Sequence, residues 1–102
     1  MKKRHIILSP SMNDDLFAIY RYVSRQTSPA LARRYDHRIR AYCRKFDLAA
    51  ERGTRRDDIR QDLRVVSFEG RVTLLFLVTD ATVIFLRAFY GGQDWEGDLS
   101  ET

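Results

Sequence analysis

Met12, Leu16, Ile19, Tyr20 and Val23 recur at helical spacing and predict an amphipathic helix with one apolar stripe. Ser9 or Ser11 can cap it, with Pro10 near its first turn, and Asp14 and Asp15 suit the positive end of the helix dipole. The pattern fades between Arg25 and Thr27, and Ser28-Pro29 repeats the same start signal. Leu31, Tyr35, Ile39, Tyr42, Phe46 and Ala49 then follow at steps of four, four, three, four and three, with no Gly or Pro between them. They predict a second helix of about five turns. Arg33, Arg34, Arg38, Arg40 and Arg44 fall on its solvent side. Two such helices joined by a few residues read as an antiparallel hairpin.

The period changes beyond Gly53. Residues 51–62 form a polar connector, and residues 63–68, 71–78 and 82–90 read as three strands. Glu69-Gly70 and Asp80-Ala81 supply the turns between them. The short apolar run at residues 5–8 predicts one more strand ahead of the helices. The expected fold is α+β in the order β-α-α-β-β-β, with the helical hairpin packed on a twisted antiparallel sheet. One domain should cover residues 1–95, and residues 96–102 form an acidic tail.

Composition narrows the classes of function. A chain of 102 residues has room for one core, and none for a dinucleotide domain beside a substrate domain, so no large cofactor is expected. Apolar residues at 44% exclude wholesale disorder. Cys43 is the one cysteine, so there is no internal disulfide, and no Cys/His cluster offers a metal site. MKKRHIIL begins like a signal peptide, yet only three apolar residues precede Ser9-Pro10, short of the ~7–15 that export requires. No apolar run approaches the ~18–20 residues of a membrane span. A cytoplasmic protein without membrane partners is the expectation.

The charge carries more information. Basic residues outnumber acidic ones by 18 to 14, and 15 of the 18 are arginine. Arginine presents a planar fork to carboxylate or phosphate and does not serve as a proton acceptor. A net charge of +4 allows direct nucleic-acid contact without requiring it. Arg52, Arg55, Arg56, Arg60 and Arg64 gather along the connector. They read either as a cationic edge for phosphate or an acidic partner, or as a solvated loop paired with Glu51, Asp57, Asp58 and Asp62. Metal-free RNA cleavage needs a base besides a cation. His5 and His37 look like ordinary surface residues, and lysine is absent from the connector and the last three strands. Asp14-Asp15 and Asp57-Asp58 are adjacent pairs whose side chains diverge, so neither makes a chelate. The last strand runs through Arg87 and Tyr90 into Gly91, Gly92, Gln93, Asp94 and Trp95. Tyr90 and Trp95 are types that dominate interaction hot spots, although Trp95 could equally fold back over the sheet edge.

These segments resemble the RelE/ParE superfamily of toxin–antitoxin toxins, and more closely its ParE branch. The resemblance runs from about Ile7 to Trp95. It rests on Leu8-Ser9-Pro10 with Asp15-Leu16 and Ile19-Tyr20, on the connector from Gly53 to Arg64, and on the final strand and tail from Val83 to Asp94. It implies the strand–helix–helix–meander fold, a cognate antitoxin (ParD-like or similar) in a hetero-oligomer, and DNA gyrase as a target inhibited by binding. Target contact would fall to Arg87, Tyr90, Gly91, Gly92, Gln93, Asp94 and Trp95. Arg55, Arg56, Arg60 and Arg64 would meet antitoxin or target. The RelE branch implies an alternative, a ribosome-dependent mRNA endoribonuclease using Arg60, Arg64, Arg87 and Tyr90. This chain departs from that pattern in lacking a connector lysine and a tyrosine after the terminal glycines.

Overall fold

A computed structural model describes residues 3–92 and 95–100. The chain runs β1 (His5–Leu8), α1 (Pro10–Gln26), α2 (Pro29–Arg44), β2 (Thr54–Arg55), β3 (Arg64–Phe68), β4 (Val72–Val78), β5 (Thr82–Tyr90) and α3 (Trp95–Ser100). Both long helices open as their Ser-Pro pairs predict. The Ser9 and Ser28 hydroxyls accept from the Met12 and Leu31 amides, and proline follows each cap. Asp14 and Asp15 lie beyond the first turn of α1, so their role is not to answer the helix dipole.

The sheet is mixed, with strand order β1-β5-β4-β3-β2. The meander β3-β4-β5 is antiparallel as expected, whereas β1 joins β5 in parallel. Parallel neighbours need a long crossover, and here the helical hairpin and most of the meander supply it. The connector holds a two-residue strand, β2, that the polar composition did not suggest. Gly53 lets it turn in at φ +79°, where an added Cβ would strike the Val65 carbonyl oxygen.

The helices bury one face of the sheet. Met12, Leu16 and Ile19 of α1 and Tyr35, Ile39 and Cys43 of α2 meet Phe68, Val72, Leu74, Phe76, Val83, Phe85 and Ala88. Phe46, in a 3₁₀ turn after α2, sits at the centre with its ring 5.1 Å from Phe76 and 5.3 Å from Phe85. Two positions of the expected stripe are corrected: Leu31 and Ala49 are exposed, while Ala32, Cys43 and Ala50 are buried. The helix ends at Arg44 and the 3₁₀ turn tightens the spacing, which moves the buried position from Ala49 to Ala50. A smaller cluster covers the opposite face, with Leu63, Leu75 and Phe89 at its centre and Ile59, Leu86 and Trp95 around them.

One irregularity shapes β5. Leu75 pairs with Arg87 but Phe76 pairs with Phe85, so Leu86 is an extra residue. This β-bulge switches which positions face the helices: Val83 and Phe85 before it, Ala88 and Tyr90 after it.

Candidate interaction surface

The parallel pairing of β1 with β5 ends at Leu8 and Phe85, so the last five residues of β5 have no strand on that edge. The start of α1 fills in for the missing strand. The Ser9 hydroxyl donates to the Leu86 carbonyl at 2.8 Å, and the Asp15 carboxylate accepts from the Ala88 amide at 2.9 Å. Arg87 starts on the face away from the helices, stacked on Phe89 at 4.7 Å. It reaches around the edge to Asp15 with two hydrogen bonds of 2.7 and 3.1 Å. A bidentate, half-buried pair of this kind fixes direction as well as adding energy. Arg87 therefore holds α1 to the sheet.

Beyond this clasp an open groove of about 580 Å³ runs between α1 and the end of β5. Asp15, Ala18, Ile19, Tyr22, Tyr90 and the two terminal glycines are among its walls. Tyr90 packs against Tyr22 at 5.4 Å and Tyr35 at 6.2 Å, and Tyr22 is 45% exposed. Gly91 adopts φ +69° with nothing within 4 Å of an added Cβ, so only its backbone demands glycine. Of the tail residues singled out in the sequence, Tyr90, Gly91 and Gly92 open onto this groove. Gln93 and Asp94 lie outside the described residues.

Trp95 sits elsewhere. It packs with the cluster on the far side of the sheet, with the Arg56 guanidinium 5.4 Å over its ring. Of its two sequence readings, packing back onto the sheet is the one observed.

The connector arginines are largely held by their own neighbours. Arg55 binds Asp57 at 3.0 Å and Asp62 at 2.9 Å, and Arg56 binds Asp58 at 2.9 Å and Glu96 at 2.8 Å. The arginines hold the Asp57 and Asp58 carboxyls below the usual carboxylate range, chiefly by hydrogen bonding. Arg64 donates to the Arg52 carbonyl at 3.3 Å. Arg60 is exposed, with no side-chain hydrogen bond among the described residues.

Strand register separates the residues a nuclease would need together. Tyr90 pairs with Val72, which pairs with Phe68, at one end of the sheet. Arg64 pairs with Phe76, four residues further along β4. At ~3.3 Å per residue, Arg64 and Tyr90 are about 13 Å apart along the strands alone. No group of three or more His, Cys, Asp or Glu that could hold a metal occurs among the described residues. No helix among them is long and apolar enough to cross a membrane.

The groove and the clasp depend on which strand β1 joins, and the bulge on the β4–β5 register, so no local spacing foretells them. The one local hint was Ser9, read as a cap and used as a cap and an edge donor together.

No curated protein matches the sequence. Among solved structures the fold is similar to a chain of a chromosomal ParDE toxin–antitoxin system from P. aeruginosa, with a TM-score of 0.76 at 19% identity. That alignment covers 87% of this chain and 97% of the other. The profile for the ParE toxin of the type II toxin–antitoxin system parDE matches residues 6–95. With nearly the whole described fold inside that match, the chain belongs to the ParE toxin family of type II toxin–antitoxin systems.

Proposed function

We propose that the protein is a toxin that inhibits DNA gyrase by binding it and is neutralised by a cognate antitoxin. Family membership supports both partners, and the solved relative is described as part of a ParDE system. The observation that carries binding over catalysis is the strand register, which sets Arg64 and Tyr90 four residues apart along the sheet and on strands either side of β4. Arg87, the third residue of the nuclease alternative, is engaged by Asp15. Transition-state stabilisation requires such groups to converge on one phosphate, whereas binding asks only for an exposed, shaped surface. The groove bearing Tyr22, Tyr90, Gly91 and Gly92 supplies one, with aromatic side chains of the kind that anchor protein interfaces. Arg60, exposed in the polar connector, is a further contact for target or antitoxin.

The test pairs an assay of purified gyrase with the purified protein and a map of cellular mRNA ends after its induction. Gyrase supercoiling should be inhibited and cleaved DNA complexes should accumulate, while mapped mRNA ends stay unchanged on induction. Tyr90→Ala should relieve the inhibition. Codon-phased mRNA cuts with untouched gyrase would overturn the proposal.

A further inference from the structure

The excess positive charge of this protein is concentrated on one helix. In the connector, acids of the connector and Glu96 of α3 answer Arg55 and Arg56. On α2 the arrangement differs. At 100° per residue, Ala30, Arg33, Arg34, His37, Ala41 and Arg44 line the crest opposite the buried face. Arg33, Arg34, His37 and Arg44 are exposed. Among the described residues no carboxylate lies within ion-pair distance of Arg33, Arg34 or Arg44. The acids that do meet α2 stand on its flanks: Asp36 binds Arg40 at 2.8 Å, and Glu69 binds Arg38 at 2.9 Å. The crest between them is purely cationic and spans about 16 Å from Arg33 to Arg44.

We propose that the crest of α2 is a site for the phosphate backbone of duplex DNA, engaged without reading sequence. Three features select this occupant over an acidic protein. The charge is carried by arginine, whose fork matches phosphate oxygens bidentately. The crest offers no apolar side chain larger than alanine, whereas protein interfaces have an apolar centre and nucleic-acid interfaces are polar and positive. Of the large exposed apolar residues on the two helices, Leu31 stands on the flank of α2 beside Tyr35, and Phe17 and Tyr22 lie on α1, all of them off the crest. A helix is also narrow enough for the major groove of B-DNA, about 12 Å wide. This inference stands apart from gyrase inhibition, since it concerns the protein and DNA alone.

Fluorescence anisotropy of the full chain with a labelled mixed-sequence duplex of about 20 bp, from about 50 to 200 mM salt, tests it. The wild type should bind with a log–log salt slope of about −3, losing about sixtyfold in affinity over that range. Arg33→Gln/Arg34→Gln/Arg44→Gln should flatten the slope by two to three and weaken binding at least ~tenfold at the lowest salt. Arg34→Gln alone should flatten it by about one, which keeps the test available if the triple variant folds poorly. Arg21→Gln/Arg25→Gln, a comparable charge change on α1, should leave binding within about twofold. Absence of binding at the lowest salt, an unchanged slope in the α2 variants, or tighter binding to a glutamate-rich peptide than to DNA would each overturn the proposal. None of these results would touch the gyrase assay.

Discussion

Cys43 lies on the buried face of α2, and burial pushes its thiol up from 9.0 to about 12 against the opposing pull of Arg40 and Arg44. The folded chain therefore keeps this proton after the unfolded chain has released it. The associated stability is complete below about pH 9 and drains away as the pH rises towards 12. Thermal melts should lose more Tm over that window for the wild type than for Cys43→Ala, and the folded thiol should resist Ellman's reagent. Tyr35 shows the opposite economy of polar groups. Its hydroxyl is buried without a hydrogen-bond partner among the described residues, and burial, then Tyr90 and Glu69, raise its phenol above the ordinary value. Removing an unpaired buried hydroxyl costs little, so Tyr35→Phe should change urea-unfolding stability by under ~0.5 kcal/mol or raise it by about 1. A loss well beyond 1 kcal/mol would mean that the hydroxyl is bonded in solution.

Elements were legible where local chemistry sets them. Ser9-Pro10 and Ser28-Pro29 mark both helix starts, and Glu69-Gly70 marks the β3–β4 turn. Direction and register were not legible, because an apolar run such as residues 5–8 pairs equally well either way until its neighbour is known. Strict alternation would also have put Arg87 on the same face as Phe85, and only the bulge places it otherwise. Two glycines separate local from long-range demands. Gly91→Ala should cost about 1 kcal/mol, the strain of a left-handed backbone in open space. Gly53→Ala has a comparable φ and also drives a methyl into Val65 and Val66, so it should cost about 2–5 kcal/mol. Comparative denaturant melts of the two variants measure the difference.

For the whole molecule, the sheet is insulated on both faces but unevenly. Among the described residues, the cluster on the helix side holds fifteen buried residues and the one on the far side three, with Trp95 and the connector completing the cover. Phe46 joins α2 to the middle of the sheet, so Phe46→Ala should cost about 3–5 kcal/mol and give a less cooperative melt. The candidate site was only half readable for a related reason. Arg55-Arg56-Asp57-Asp58 carries its own pairing at two-residue spacing, a local signal that a count of arginines overlooks. By contrast, Asp15 with Arg87 and Arg56 with Glu96 join residues 72 and 40 positions apart, which no spacing rule reveals.

The bulge in β5 has a consequence for how this fold can vary in length. Leu86 and Arg87 together face a single step of β4, so the strand carries a spare residue. Excising Leu86 would let Phe85 and then Arg87 follow Phe76 and Leu75 in unbroken alternation, with every later side chain on its present face. Excising Ala88 would turn Phe89 and Tyr90 inside out. Homologous chains should therefore tolerate a missing residue at this one point of the strand, and the clasp between Asp15 and the Ala88 amide would survive it.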